Sequence, residues 1–92
     1  MNILGEGISL SSYTENNHFT CPSDGYVNCT STSNNGSCAF VATKNKNNLQ
    51  VFVCIAYGNS SYSETRTTFV RKGMKIYVGI SNGTAVYYPF TN

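Results

Sequence analysis

Apolar and polar residues alternate along most of the chain with the two-residue period of β-strands. In residues 26–32, for example, Val27 and Cys29 lie on the face opposite Tyr26 and Asn28. No window repeats apolar residues at helical spacing, and turn residues separate the alternating segments at fairly even intervals. The pattern predicts an all-β domain, an antiparallel, jelly-roll-like β-sandwich of seven to eight short strands.

The alternating segments set the expected strands. They cover residues 8–13, 26–32, 38–43, 49–57, 65–70, 74–80 and 84–90. Asn35-Gly36 and Asn82-Gly83 are type I′ hairpin signals, so each is expected to join two strands that pair with one another. Pro89 cannot donate a hydrogen bond within a sheet, which predicts that the last strand lies at an edge or ends there.

Two further turns are expected. In "CPSDGY", Pro22 suits the first central position of a type I turn, Asp24 can bond back to the backbone, and Gly25 accepts a positive φ. Gly73 in "RKG" predicts a second turn. These residues are interpreted as turn-forming and not as a functional site.

The segment at 49–57 differs from the others because both of its faces are apolar. A strand of this kind is buried on two sides, and a domain this small has too few layers to cover both. We therefore expect another copy of the chain to cover one face. Leu49, Val51, Val53 and Ile55 form one face, and the expected oligomer interface is Phe52, Cys54 and Ala56.

Length and composition agree with a single domain over residues 1–92. Asn, Ser and Thr supply 12, 11 and 10 residues, whereas charged residues make up only 11% of the chain, a composition that suits strands and turns. A net charge of +2 does not imply a nucleic-acid partner. The longest apolar stretch is too short for membrane insertion, and the N-terminus lacks the pattern of a signal peptide, which predicts synthesis in the cytoplasm.

Four cysteines leave two interpretations open. Cys21, Cys29, Cys38 and Cys54 could form two disulfides in a secreted domain, with three possible pairings. Reduced cysteines that pack as small apolar residues are favoured, because Cys54 lies within an apolar strand. Gaps of seven, eight and fifteen residues do not match paired zinc-ligand spacing, so no metal site is expected.

The chain offers little for catalysis. His18 is the only histidine, and the only acids are Glu6, Glu15, Asp24 and Glu64. No nucleophile motif adjoins the histidine, which is interpreted as a solvated loop residue. We expect no enzymatic activity and no cofactor.

Two stretches carry a resemblance. "FTCPSDGYV" together with "FVRKGMKIYVGISNGTAVYYPF" resembles a pattern of small β domains in phage and prophage tail-fibre, head-fibre and receptor-binding proteins. The resemblance covers about a third of the chain. It implies a β-sandwich knob that trimerises at a fibre tip on the virion surface, after synthesis in the bacterial cytoplasm. It also implies recognition of a host-surface glycan or protein, and it carries over no catalytic residues.

Asn/Ser/Tyr-rich loops are the expected binding surface. Asn35, Asn59 and Tyr62 are the candidate binding residues, since tyrosine is a rigid amphipathic contact and asparagine an adaptable one. One alternative is a structural virion decoration or baseplate module whose partners are only other virion proteins. The other alternative is the secreted, disulfide-bonded β domain.

Overall fold

The computed structural model describes residues 3–91, which form nine β-strands in two packed sheets. No helix in this range is long and apolar enough to cross a membrane. In chain order the strands are β1 (Ile3–Leu4), β2 (Ile8–Ser9), β3 (Phe19–Thr20), β4 (Gly25–Ser31), β5 (Cys38–Lys44), β6 (Gln50–Tyr57), β7 (Thr65–Val70), β8 (Lys75–Ser81) and β9 (Gly83–Thr91).

The strands pair from the two ends of the chain inward, so that the first pair with the last and the middle two with each other. The first strands, β1 and β2, both pair with the last, β9; β3 pairs with β8, β4 with β7, and β5 with β6, all antiparallel. The resulting sheets have the orders β1/β2–β9–β4–β7 (the first sheet) and β3–β8–β5–β6 (the second sheet). This is jelly-roll connectivity, which confirms the expected antiparallel sandwich. The strand count is nine because the N-terminal segments form several two-residue strands.

Both expected hairpins are wrong. β4 and β5 belong to opposite sheets, as do β8 and β9, so each Asn-Gly turn carries the chain across the sandwich. A type I′ turn needs positive φ at both central residues, but only Gly36 (75°) has it in the first turn and only Asn82 (63°) in the second. The Asn-Gly signal encodes a local change of direction. Whether the flanking strands then pair depends on which sheet can cover their apolar faces.

Residues 22–24 are also a crossing between sheets, since they join β3 to β4. Asp24 does not bond back to its own turn: its carboxylate accepts a hydrogen bond of 2.8 Å from the Lys72 backbone N–H. The expected positive φ at Gly25 is wrong, because this residue is the buried first residue of β4. Glycine is needed there for space, since a Cβ would lie 2.2 Å from the Tyr88 carbonyl oxygen.

Gly73 lies in the turn between β7 and β8. Its φ of 89° is in the left-handed region that favours glycine. The Gly73 backbone N–H donates a hydrogen bond of 2.8 Å to the Cys21 carbonyl, so this turn is attached to the segment that precedes the 22–24 crossing.

Pro89 lies within β9, an interior strand of its sheet, so the prediction of an edge position is wrong. The strand tolerates proline because its neighbour on one side is interrupted. β1 pairs with Phe90 and Thr91, β2 pairs with Val86 and Tyr87, and Pro89 falls between them. The Phe90 N–H donates to the Asp24 carbonyl on the β4 side, so the nitrogen of Pro89 faces this interruption.

A β-bulge in β6 changes which side chains face the core. Cys54 pairs with Val41 and Phe52 pairs with the next residue, Ala42, so Val53 is the extra residue. Phe52 therefore lies on the outer face of the sheet, where its ring packs edge-on against Phe40 at 5.1 Å. Strict alternation predicts that Phe52 lies on the same face as Cys54, so this part of the prediction is wrong.

The expected oligomer interface is consequently wrong for two of its three residues. Cys54 (5% exposed) and Ala56 (fully buried) lie in the core of a single chain, where the first sheet covers them. Cys54 and Ala56 therefore expose almost no surface that a second copy of the chain could contact. Phe52 is 53% exposed, and its role in an interface stays a prediction.

The core between the two sheets consists mainly of small and medium side chains. Tyr87 is the largest fully buried one, and its hydroxyl donates to the Ser23 carbonyl at 2.6 Å. All four cysteines are free thiols. The core residues are Leu10, Cys21, Val27, Cys29, Ala39, Val41, Cys54, Ala56, Val70, Ile76, Ala85 and Tyr87.

Candidate binding site at the loop end

The jelly roll gathers three connections at one end of the sandwich. β4 ends at Ser31, which pairs with the first residue of β9, and the adjacent Thr30 pairs with the first residue of β7. The loops at 32–37 and 58–64 and the corner at Asn82 therefore lie together. We call this surface the loop end. It contains all three residues that the sequence proposed for binding.

Asn35 and Asn59 hold the backbone of the loop end. The Asn35 side-chain oxygen accepts a hydrogen bond of 3.0 Å from the Ser60 N–H, which links the two loops. The Asn59 side-chain oxygen accepts from the N–H groups of Ser61 (2.8 Å) and Tyr62 (3.2 Å). Both side-chain oxygens thus already accept hydrogen bonds from the backbone, so the two asparagines stabilise the conformation of the loops.

Two serines that the sequence interpretation missed fix the base of the loops. The Ser31 hydroxyl accepts from the Glu64 N–H at 2.9 Å, and the Ser37 hydroxyl donates to the Thr32 carbonyl at 2.6 Å. Both serines are 1% exposed. Ser31 could have been found from the sequence, because it is a polar residue at the next inward-facing position of the strand after Val27 and Cys29.

Exposed tyrosine remains at the loop end once the loops are fixed. Tyr62 is 52% exposed, and Tyr57, the last residue of β6, is 58% exposed. Beside them, Glu64 accepts from the Tyr57 N–H at 3.0 Å and forms an ion pair of 2.9 Å with Arg66. Hydrogen bonds from the Arg66 side chain and the Tyr57 N–H lower the pKa of the Glu64 carboxyl, which keeps it charged in this position.

The loop end is rich in groups that form non-covalent contacts. It presents aromatic rings, amides and hydroxyls, all of which contact sugars or polypeptide without reacting. Among residues 3–91 no group of three or more His, Cys, Asp or Glu side chains is placed to hold a metal ion. His18 lies elsewhere, beside a cavity at the opposite end of the second sheet.

A second exposed surface follows β6, the edge strand of the second sheet. Leu49, Val51 and Phe52 are 61%, 43% and 53% exposed on or next to this strand. An apolar edge strand is a common place for another chain to pair or pack. We call this surface the β6 edge.

Comparison of the chain with known protein families, curated proteins and solved structures finds no match. The resemblance to fibre domains therefore stays a prediction from two sequence stretches.

Proposed function

We propose that this domain is a non-enzymatic receptor-binding module of a phage or prophage fibre, which binds a host-surface glycan or protein through the loop end. The observation that carries the proposal is the exposed Tyr62 on a loop whose backbone is already held by Asn59 and, through Ser60, by Asn35. A rigid tyrosine loses little conformational entropy on binding and contributes a large contact area. Such a surface needs no deep pocket.

Assembly is the second half of the proposal. The β6 edge supports a homotrimer, because its exposed apolar residues would be removed from water against another copy. Three loop ends on one fibre would bind a cell surface together, so that individually weak contacts give a long-lived attachment. Sedimentation velocity at micromolar concentration tests this half, and a species that remains monomeric at all concentrations contradicts it.

Binding to whole host cells tests the loop end. In the labelled domain, Tyr62→Ala should reduce cell binding at least tenfold, the typical effect of removing a central aromatic contact. Asn47→Ala, an exposed change in the loop between β5 and β6 at the opposite end, is the control and should leave binding unchanged. Equal binding by both variants and the unchanged protein would reject the loop end as the recognition surface.

The β6 edge also favours a second candidate function, a structural decoration or baseplate module that contacts only other virion proteins. In that case the edge would pair with a different virion chain. A domain that binds no host cell or glycan but co-purifies with a fibre or capsid protein supports this candidate. Loss of that co-purification in Phe52→Lys, with Tyr62→Ala unaffected, would assign the contact to the β6 edge.

A further inference from the structure

A polar cavity of about 400 Å³ lies on the second sheet, away from the loop end. The segment that precedes β3 forms one wall through Glu15 and His18, while Lys44 at the end of β5 and Lys75 at the start of β8 form another. Its volume is within the range of sites that hold small molecules. A single sugar unit fits a space of this size.

The charges around this cavity are unbalanced. Glu15 and Lys44 form an ion pair at 3.2 Å, so these two charges offset each other. Lys75 has no carboxylate within 4 Å among residues 3–91, which leaves its ammonium group free to attract an anion. The same end of the sandwich carries five of the six basic residues of the chain, namely Lys44, Lys46, Arg71, Lys72 and Lys75.

Two residues that line the cavity, Thr43 and Tyr77, carry hydroxyl groups that can form a further hydrogen bond. Tyr77 is 4% exposed, and its hydroxyl accepts a hydrogen bond of 2.9 Å from the Gln50 amide, so its own proton can be donated to a ligand. Thr43 donates its hydroxyl proton to the Lys75 carbonyl at 2.6 Å and can still accept. The hydrogen bond from Thr43 to the Lys75 carbonyl also holds β8 beside β5 at this position.

We propose that this cavity binds an acidic sugar, whose carboxylate or phosphate contacts the Lys75 ammonium and the Tyr77 hydroxyl. Glu15, on the other wall, accepts hydrogen bonds from the sugar hydroxyls. Its negative charge repels an anion that has no such hydroxyls, for example inorganic phosphate. Charge-assisted bonds to Lys75 supply most of the affinity, and the hydroxyl contacts select a sugar. The site is separate from the loop end, so its test does not depend on the proposed function.

The test is a titration of the ¹⁵N-labelled chain of residues 1–92, monitored by its amide chemical shifts. Glucuronate and glucose 6-phosphate are the probes, glucose is the uncharged control, and inorganic phosphate is the anion without a sugar. We expect shifts confined to residues 15–18, 43–44, 48 and 75–77 with one or both acidic sugars, and at least tenfold weaker binding of glucose and of phosphate. Comparing the two acidic sugars shows whether the carboxylate or the phosphate is preferred.

A pair of variants separates a local contact from general attraction by positive charge. Lys75→Gln should weaken binding of the acidic sugar about tenfold, the effect of losing one charge-assisted hydrogen bond. Lys72→Gln makes the same charge change at an exposed residue outside the cavity, and should weaken binding less than twofold in 0.15 M salt, where distant charges are screened. Both variants should keep the dispersed spectrum of the folded chain. Equal losses in the two variants, shifts elsewhere on the surface, or equal binding of phosphate and acidic sugar would overturn the proposal.

Discussion

Replacing Gly25 by alanine tests the account of the crossing between β3 and β4. The added Cβ would lie 2.2 Å from the Tyr88 carbonyl oxygen and 3.0 Å from the Pro89 Cα, both of which are backbone atoms of β9. No side chain can rotate away to make room. Ordinary contact begins at 3.4 Å, so β9 and β4 must separate by about 1.2 Å at this point.

The expected cost follows from that displacement. Overpacking at a buried site costs about 1–3 kcal/mol, and the Phe90 N–H to Asp24 carbonyl bond beside it, 2.8 Å long, is worth about 1 kcal/mol. Alanine gives back about 0.4–1 kcal/mol by restricting the unfolded chain. The net loss is about 1–3.6 kcal/mol, which lowers the Tm of a domain this size by about 4–29 °C.

Thermal unfolding followed by circular dichroism measures this loss, and Gly36→Ala is the matched control. Gly36 has a φ of 75°, but its added Cβ would meet none of the described atoms within 4 Å, so only the conformational cost of about 1 kcal/mol applies. The control should lower the Tm by about 4–8 °C. The reasoning is refuted if Gly25→Ala melts at or above the temperature of Gly36→Ala.

Three further predictions concern the buried polar groups and thiols. Tyr87→Phe leaves the Ser23 carbonyl without its hydrogen bond of 2.6 Å and should cost about 1–2 kcal/mol in urea unfolding; an unchanged midpoint would contradict the role of the hydroxyl. Burial raises the pKa of the Cys21 thiol in the folded chain to about 11 from 9.0. Between about pH 9 and pH 11 the unfolded chain therefore holds fewer protons than the folded chain, so the free energy of unfolding should fall as the pH rises. Cys21→Ala should show a smaller fall, and identical pH profiles would reject this contribution. In native alkylation followed by mass spectrometry, Cys38 should react first because it is the only cysteine of the four that is not buried; simultaneous labelling of all four would contradict the core packing.

Cys29 and Cys54 come from opposite sheets and meet in the core. The Cys29 thiol donates to the Cys54 carbonyl at 3.6 Å, and Cys54 donates to the Arg66 carbonyl at 3.3 Å. The hydrogen bond with Cys54 and burial raise the pKa of the Cys29 thiol, which favours its protonated form. Both residues therefore fill the core as small apolar groups with weak hydrogen bonds to the edge strands.

The jelly-roll connectivity explains why the loops of the loop end lie together. From β2 onward, every connection except the one between β5 and β6 crosses from one sheet to the other. Successive loops therefore meet at the two ends of the sandwich. Ile3 and Thr91 pair with one another at the end opposite the loop end. The loops at 32–37 and 58–64 are consequently clear of the described chain ends.

The class of fold and the approximate positions of β4 to β9 could be predicted from the amino-acid sequence, because period-two alternation and turn residues are local properties of the chain. The strand predicted at 8–13 forms only at Ile8–Ser9, and β1 and β3 were not predicted. The sequence also identified the loops that meet at the loop end, since Asn-rich turns were visible as Asn35 and Asn59. It did not determine strand partners. Neither Asn-Gly pair forms the type I′ turn that its sequence predicts, since only Gly36 and only Asn82 have a positive φ, and both turns cross between the sheets.

Which side chains of β6 face the core depends on how the strand pairs in the folded chain. A single extra residue at Val53 reversed the alternation, which placed Phe52 outside while Cys54 and Ala56 entered the core. The cavity beside Lys75 was equally invisible in the sequence, because Glu15, Lys44 and Lys75 approach one another only after β3 and β5 pair with β8. Contacts of this kind depend on long-range pairing, and one residue of register is enough to change them.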